Sequence, residues 1–492
     1  MNLTDSLRRQ LDNLNLTPHE RALIRCRAAA DLTHSGQYEK AREALGELWR
    51  DVGVRPNVEG LGETTAAEVL LQAGVLSGWL GASKQVEGAQ DAAKDLISEA
   101  RRLFEAQGLR MKVAEAEHEL GVCYWRAGAF DDARVILQEA ARKLDGADAA
   151  LKATVCIRRS IVELGAGRYS DALRILSEAE AVFQNFPDAL KGRWHAQTAL
   201  ALRNLGTAEG RADFLDRAII EHTAAIYYFE RAGHERYCAN NLNNLAFLLF
   251  RLGRYKEAHE HLDRAQMIFT RLKDPGNLAQ VDETRARVLI AEGKHREANR
   301  IIAGVTQTLE QIGEQALLAD ALTVQATAEA RLGRHVASQL IFGRAVTVAE
   351  QAGALKSAGL ATLAMIEEHG ETRLSEEELY EAFTRADALL KRTQDAEAVS
   401  RLLACARLIA RRLGVLRIGE AFTLREALRQ YEARYIRRAL RESDGKVTHA
   451  AKRLGITYQK LQYLLETRHK DLAPERAPAE KRLRSIIKEP KE

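Results

Sequence analysis

A repeat with a period near 40 residues runs through most of this 492-residue chain and limits what it can fold into. In each copy, one small residue in an apolar segment is followed 12 residues later by a second one. The first positions are Gly121, Ser160, Gly206, Ala246, Ala286 and Ala326, and the second are Ala133, Ala172, Ala218, Ala258, Ala298 and Ser338. The first positions are separated by 39, 46, 40, 40 and 40 residues. This period predicts helix pairs that stack into a solenoid and cross closely at the small residues.

The composition favours helices throughout the chain. Ala, Leu, Glu and Arg are abundant, there are 7 prolines, and alternating β-branched segments are nearly absent. Glycines that end helices at little cost mark the turns within the pairs, at Gly128, Gly167, Gly253, Gly293 and Gly333. The Gly206 copy has Asp213 where the turn glycine is expected. The predicted fold class is therefore all-α.

The pair at residues 118–140 resembles the tetratricopeptide repeat (TPR). The matching small and aromatic positions are Leu120, Gly121, Tyr124, Gly128, Phe130, Ala133 and Ala140. The resemblance extends over residues 11–413, and the long period implies longer helices than in the common repeat of about 34 residues. It implies a TPR-like superhelix of about eight to nine repeats in residues 1–413, with a concave face suited to peptides or extended protein segments.

The asparagine-rich run at residues 240–244 predicts where such a partner binds. Asparagine is a poor helix former, and its amide can both donate to and accept from a peptide backbone. TPR proteins that grip peptides are similar in placing Asn on the first helix of a repeat. The predicted partner-groove residues are Arg203, Asn204, Asn240, Asn243, Asn244 and Phe247. The alternative is that these Asn side chains cap helices or bond between neighbouring repeats.

The C-terminal region breaks the repeat and carries the net positive charge of the chain. Residues 424–492 contain 18 Lys and Arg against 10 Asp and Glu, whereas the remainder contains 55 against 59. An amphipathic helix is predicted at 424–443, with an apolar stripe of Leu424, Leu428, Tyr431, Tyr435, Ile436 and Leu440. A turn at Asp444 and Gly445 follows, and then two short helices capped by Thr448 and Thr457. Gly455 permits the tight turn between them.

Residues 424–471 resemble the Fis-type helix-turn-helix in the order and spacing of these features, and a domain at 424–472 is expected. The resemblance implies a DNA-binding domain that is dimeric through its leading helix, with residues 431–440 in the contact. The last helix would enter the major groove by its N-terminal residues. The predicted DNA-binding residues are Lys446, Thr448, His449, Lys452, Arg453, Thr457, Tyr458, Gln459, Lys460 and Gln462. Glutamines would read adenine, and the basic residues would contact phosphates.

One departure from the family concerns the reading helix. Lys460 is the one Lys or Arg within residues 456–465, where the family commonly has several. The alternative is therefore a helix-turn-helix that serves for dimerisation alone or is an evolutionary relic. Residues 473–492 are predicted to be a charged, proline-containing tail.

Catalytic, cofactor and metal motifs are not found in the sequence. There is no GxxxxGK[ST], HExxH or GxSxG, and the five cysteines form no CxxC pair. No run of 18 apolar residues or secretory leader is present, so we expect a bacterial cytoplasmic protein without membrane contact. The sequence predicts a non-enzymatic transcriptional regulator, a homodimer on double-stranded DNA, whose array senses a protein or peptide. The alternatives are a TPR adaptor for protein assembly and a regulatory subunit of an enzyme.

Overall fold

The computed structural model describes residues 16–34, 36–83, 86, 88–144, 149–178, 180, 183, 186–391, 395–414 and 424–476. Every regular element in these ranges is a helix, which confirms the all-α prediction. Contacts between residues divide the chain into two compact units, Met1–Ala410 and Arg411–Glu492. None of the helices in the described ranges combines the length and apolar content that crossing a bilayer demands.

The first unit is a stack of helix pairs, and its last helix extends past Ala410 to Gly414. Its helices are α1 Pro18–His34, α2 Tyr38–Leu45, α3 Glu63–Ser83, α4 Ala89–Ala106, α5 Arg110–Arg126, α6 Phe130–Lys143, α7 Ala149–Gly165, α8 Tyr169–Glu178, α9 Asp188–Glu209, α10 Ala212–Arg231, α11 Glu235–Arg251, α12 Tyr255–Leu272, α13 Pro275–Ala291, α14 His295–Ile312, α15 Gln315–Arg331, α16 His335–Gln351, α17 Leu355–His369, α18 Glu376–Leu390 and α19 Ala396–Gly414. A short 3-10 helix, Gly46–Leu48, follows α2. Each helix from α1 to α17 packs against the next, and first helices also touch first helices of the following pair, as α5 touches α7 and α13 touches α15. The first helices therefore form the inner layer of the stack.

The small residues that define the period are buried where helices cross. All six second positions are 0% exposed, and so are Ser160, Ala246, Ala286 and Ala326 among the first positions. Gly121 shows the physical reason, because a Cβ added there would lie 2.5 Å from Cγ of Leu137. Close crossing of two helices thus fixes the small residue, and the register predicted from the sequence is confirmed.

Glycine turns connect the helices of most pairs as predicted. The five turn glycines of the repeat have φ between 73° and 79°, in the left-handed region that glycine tolerates. In the Gly206 copy, the turn glycine is Gly210, with φ of 67°, three residues before Asp213. The difference arises because α9 ends at Glu209 and α10 already begins at Ala212, so this turn is shorter.

The second unit contains one long helix and two short ones. Its elements are α20 Leu424–Arg441, α21 Val447–Arg453, α22 Tyr458–Thr467 and a 3-10 helix, Lys470–Glu475. Its buried core consists of Ile436, Ala439, Leu440, Ala450, Ala451, Leu461, Leu464, Leu465 and Leu472. Tyr431 and Tyr435, which the sequence placed in the same apolar stripe, remain 57% and 52% exposed. The side chains of Leu424 and Leu428 lie outside the described part of the structure.

The turns of the second unit follow the sequence signals with one correction. Asp444, Gly445 and Gly455 have φ of 49°, 74° and 64°. Thr457 caps α22, and its hydroxyl accepts a hydrogen bond from the Lys460 backbone N–H at 3.2 Å. The prediction that Thr448 caps α21 is wrong. The chain enters that helix directly after Gly445, so the N-cap position falls on Lys446 and Thr448 lies inside the first turn.

Ordered structure continues beyond the domain end expected at residue 472. Arg437 Nε donates a hydrogen bond of 3.0 Å to Glu475 Oε1. His469 is 0% exposed, and its Nε2 lies 3.0 Å from Glu432 Oε2. These contacts tie the segment through Glu475 to α20. Residues 477–492, which make up most of the predicted tail, lie outside the described residues.

Candidate functional site

The helix-turn-helix presents the N-terminal turn of α22 to solvent. Leu461, Leu464 and Leu465 point into the core, so α22 has one fixed buried face. Its opposite face begins with Tyr458, which is 44% exposed, and the Thr457 cap holds its first turn in helical geometry. A helix end presented in this way can enter a groove of duplex DNA with its first residues leading.

All ten residues predicted to contact DNA lie in α21, in α22 or in the turns that lead into these two helices. Nine of them are exposed, namely Lys446, Thr448, His449, Lys452, Arg453, Thr457, Tyr458, Gln459 and Lys460, while Gln462 is half-buried. Gln462 Nε2 donates to Glu466 Oε1 at 3.0 Å, so this amide is already engaged within α22. Gln459 is therefore the better placed of the two glutamines to read a base edge.

The cations of this surface differ in whether they form ion pairs within the domain. Within residues 424–476 as described, Lys446, Lys452 and Lys460 form no ion pair. Arg453 instead donates to Glu442 Oε2 at 2.7 Å, and Glu442 also accepts from Arg438 at 2.8 Å. Both Arg453 and Glu442 are exposed enough for this pair to be weak. The three lysines are thus ready to meet phosphates, whereas Arg453 must first leave its carboxylate.

A pair of exposed tyrosines marks another face of α20. The hydroxyls of Tyr431 and Tyr435 lie 3.2 Å apart, and their rings meet edge to face with centroids 5.2 Å apart. Large aromatic side chains exposed side by side are typical of contact surfaces. They lie within residues 431–440, where the sequence predicted a dimer contact.

A concavity of about 1000 Å³ lies on the inner layer of the described array. Three arginines line it: Arg126 on α5, Arg158 on α7 and Arg193 on α9. Its aromatic and apolar wall includes Trp79, Trp125, Phe130, Ile161, Leu200 and Tyr237. We call this concavity the arginine cavity. None of its three arginines was predicted from the sequence.

Burial perturbs two of these arginines. Arg158 is 9% exposed, and burial, with the charge of Arg193 beside it, lowers its pKa to about 10. Burial also lowers the pKa of Arg126 from its ordinary value. Its guanidinium carbon lies 3.5 Å from the centre of the Trp79 ring, which itself stacks on Tyr38 at 5.0 Å. A guanidinium against an aromatic face gains a cation–π attraction but no neutralising charge.

The asparagine run divides between groove and structural roles. Asn240 and Asn244 line the arginine cavity, as the groove prediction requires. Asn241 Oδ1 accepts a hydrogen bond of 3.1 Å from His222 Nδ1 of α10, so this asparagine bonds between neighbouring repeats. Burial, followed by the charge of Arg203, lowers the pKa of His222 to about 3, which keeps this pair neutral. Asn243 lines a different concavity, beside Glu283 and Arg287.

The remaining predicted groove residues surround a second cavity of about 350 Å³. Arg203, Asn204 and Phe247 line it together with Asp395 and Glu397 from the start of α19. Arg251 forms an ion pair with Glu397, and Lys356 forms one with Asp395. The chain thus supplies its own carboxylates to this cavity, which we call the acid-filled cavity. The six predicted partner-groove residues are therefore spread over three concavities rather than one.

A sequence signal for Arg158 did exist in the repeat register. Arg158, Asn204 and Asn244 each lie two residues before the small residue of their repeat, at Ser160, Gly206 and Ala246. One position of the first helix therefore faces inward in successive repeats. Arg126 has a comparable signal, since it lies five residues after Gly121, and Arg211, Arg251 and Arg331 lie five residues after Gly206, Ala246 and Ala326. Arg193 has no arginine at the matching place of another repeat.

No cluster of three or more His, Cys, Asp or Glu is placed to hold a metal ion among the residues that the structure describes. All five cysteines are buried and unpaired. For Cys26, Cys123 and Cys405, burial raises the thiol pKa to about 12, so these thiols are poor nucleophiles.

Comparison with known proteins agrees with both units. Residues 427–466 match the family model described as bacterial regulatory protein, Fis family. The solved Rap protein complexed with competence and sporulation factor is similar, with 15% identity and a TM-score of 0.51, over 80% of this chain and 99% of that one. At this identity, the similarity concerns the fold alone.

Two further solved structures are similar at lower scores. The apo form of the quorum sensor NprR from B. thuringiensis shares 12% identity and a TM-score of 0.48, over 70% of this chain and 92% of that one. A STAND protein with a tetratricopeptide repeat sensor from Pyrococcus horikoshii has 13% sequence identity and a TM-score of 0.46. The match covers 83% of this chain and 65% of that one. No curated protein matches the sequence. The chain therefore combines a TPR-like helical repeat array with a Fis-type helix-turn-helix domain at residues 427–466.

Proposed function

We propose that this chain is a bacterial, cytoplasmic transcriptional regulator that binds double-stranded DNA through α21 and α22. The observation that carries the proposal is the exposed, Thr457-capped start of α22 beside three unpaired lysines, in a segment that matches the Fis family. Phosphate contacts from the lysines would set affinity and register, and Gln459 would contribute base recognition. The chain has no catalytic role in this proposal.

The array supplies the sensing part of the proposed function. Its inner layer contains a roomy cavity lined by arginines, amides and aromatic rings, which suits an extended protein or peptide segment. The Rap protein of similar fold was solved in a complex, so a fold of this kind can hold a partner. Binding of the partner would change DNA affinity, because a regulator responds through a coupling between its two sites.

The active form in this proposal is a homodimer. Tyr431 and Tyr435 offer an exposed aromatic surface on α20, and two reading helices would match two half-sites on DNA. Two sets of three lysines also bind more strongly than one, because the second contact is intramolecular.

Genome-wide DNA capture tests the proposal. The full chain and a chain that lacks residues 424–492 are compared in the same cells. We expect discrete enriched sites for the full chain and none for the shortened chain. Absence of enriched sites for both chains would contradict the proposal and favour the alternative of a TPR adaptor that assembles proteins without DNA.

A further inference from the structure

We propose that the arginine cavity binds the carboxylates of an acidic peptide segment through Arg126, Arg158 and Arg193. This inference rests on the proposed function, since it specifies the chemistry of the partner that the array senses. Its starting observation is a set of three cations on three consecutive first helices, α5, α7 and α9, which converge on one concavity.

The three arginines have no anionic partner in the described structure. Arg126, Arg158 and Arg193 form no ion pair with any carboxylate of the described ranges. Arg158 is 9% exposed, and its Nε is buried without a hydrogen-bond partner. The charge of Glu119 acts to raise the pKa of Arg126 and of Arg158. The Glu119 carboxylate itself, however, lies 3.0 Å from His118 Nδ1. A buried guanidinium without a counter-charge is unfavourable, and an anion bound beside it would remove that cost.

The acid-filled cavity shows what the arginine cavity lacks. There Glu397 pairs with Arg251, and Asp395, which also lines the cavity, pairs with Lys356 from outside its lining, so cations of the array meet carboxylates. Arg203 in the same cavity also feels the charge of Glu397. Cations of the acid-filled cavity are thus neutralised by the chain's own carboxylates, whereas the arginines of the arginine cavity are not. The complement that fits the arginine cavity is a carboxylate from another molecule.

Amide groups in the arginine cavity favour a peptide over another anion. Asn240 and Asn244 line it, and Gln90 Oε1 is buried there without a hydrogen-bond partner, while its Nε2 donates to Gly78 O at 2.8 Å. Amides satisfy the N–H and C=O groups of an extended backbone. A volume of about 1000 Å³ accommodates several residues.

The aromatic groups argue against a nucleotide or single-stranded nucleic acid. Bases bind to such cavities by stacking on free aromatic faces. The Trp79 ring already stacks on Tyr38 and carries the Arg126 guanidinium at 3.5 Å. The Arg158 guanidinium lies 5.6 Å from the centre of the Trp125 ring. These rings therefore hold the arginines in place rather than offering platforms to a base.

The test uses the full-length protein and fluorescein-labelled dodecamer peptide pools, with binding measured by fluorescence polarisation. The acidic pool has Asp or Glu at every second position, and its neutral twin has Asn or Gln there. We expect the acidic pool to bind at least about tenfold more tightly, since charge-assisted hydrogen bonds are the stronger ones. Equal affinity for both pools would overturn the inference. Complete displacement of the acidic pool by equimolar citrate would also overturn it, in favour of a small anion.

Matched variants locate the contact. Arg158→Gln and Arg193→Gln should each weaken binding of the acidic pool about tenfold and leave the neutral pool unchanged. The control is Arg217→Gln, an exposed arginine of α10 that has no ion pair among the described residues. Arg158→Lys, which keeps the charge, should retain part of the affinity. Acidic-pool affinity in Arg158→Gln equal to that of the wild type, in a variant with an unchanged circular dichroism spectrum, would contradict the inference.

The outcomes separate this inference from the function on which it rests. Binding of the neutral pool alone would leave peptide sensing standing and remove the acidic specificity. Binding of neither pool would contradict both peptide sensing and the acidic specificity. DNA capture tests the helix-turn-helix independently of either.

Discussion

The array and the helix-turn-helix domain hold their candidate binding cations in opposite environments. In the array, Arg158 is 9% exposed and its Nε has no partner. In the helix-turn-helix domain, Lys446, Lys452 and Lys460 are all exposed. Exposed lysines suit a polyanion, where displaced counterions and salt govern affinity. A buried arginine suits one desolvated anion at a fixed place, where hydrogen-bond geometry governs it.

The difference also concerns what each unit requires of its backbone. The array depends on a small residue at each helix crossing, whereas the second unit depends on caps and turns at the ends of short helices. Substitutions can therefore disturb one unit in ways that have no counterpart in the other.

The largest effect should come from breaking or relieving buried charge in the array. Arg134 Nε donates to Glu163 at 2.6 Å, and Glu163 is 4% exposed. Arg134→Met should cost about 3 kcal/mol of unfolding free energy, because it leaves that carboxylate buried and unpaired. Arg158→Met should instead raise the free energy of unfolding by about 1 kcal/mol, since it removes a cation that has no partner. Denaturant titrations of both variants measure the change in unfolding free energy, which should have opposite signs. A loss of stability in Arg158→Met would contradict the conclusion that Arg158 has no anionic partner.

Crowding a helix crossing should come next. Gly121→Leu should destabilise the array by about 2 kcal/mol, because its side chain must displace Leu137 from the crossing of α5 and α6. Gly343 in α16 is the control, since a Cβ there meets nothing within 4 Å. Gly343→Ala should stabilise by about 0.5 kcal/mol through helix propensity. Thermal unfolding of the two variants measures this difference. Equal unfolding midpoints for Gly121→Leu and Gly343→Ala would show that the small residue is not required for packing.

Loss of the cap on the reading helix should have a smaller effect, confined to the second unit. Thr457→Ala should cost about 1 kcal/mol and speed hydrogen exchange at the first amides of α22 about fivefold. Thr457→Ser, which keeps the hydroxyl acceptor, should restore protection. The exchange of array peptides in the same sample serves as the internal reference, and unchanged exchange in α22 would show that the cap does not hold the helix start.

The smallest effect should appear at acidic pH in the second unit. Burial acts to raise the pKa of Glu432, but the hydrogen bond with His469 and the charge of Arg468 outweigh it and lower that pKa below 4.5. Ionised Glu432 therefore contributes stability above its ordinary pKa, and the contribution is lost as pH falls through the lowered value. The protection of α20 amides against hydrogen exchange, taken relative to the intrinsic exchange rate at each pH, should fall in the wild type between pH 6 and pH 3. Glu432→Gln should show a shallower fall, and identical protection profiles would show that this pair is not the cause.

The sequence predicted well what a local pattern determines. The twelve small positions of the repeat follow from helix crossing. The buried leucines of α11 and α22 also lie at helical spacing, as Leu242, Leu245 and Leu249 do in α11. The cap of α21 was assigned wrongly to Thr448, because a glycine turn can enter a helix without a side-chain cap.

Contacts between distant repeats could not be read from the period. The period places Arg203 and Asn244 on the inner face, but it does not show that they line different cavities. Glu397 reaches Arg251 across 146 positions of sequence, and only the superhelical path of the array determines that meeting. Arg126 was missed for the same reason, since the period places Arg211, Arg251 and Arg331 at its equivalent positions but does not show that those three form ion pairs and Arg126 does not. Arg193 has no arginine at the matching place of another repeat.

The most direct measurement is the affinity of the full chain for a captured DNA duplex across a salt series. Six unpaired lysines in a dimer predict a slope of about −5 for log affinity against log salt. Lys446→Glu combined with Lys460→Glu should weaken binding at least about 100-fold and flatten that slope. The control is Arg217→Glu combined with Arg300→Glu, which makes the same charge change at exposed positions of the array and should leave binding unchanged. Equal affinity and equal slope in the wild type and the lysine variant would contradict DNA binding through α21 and α22.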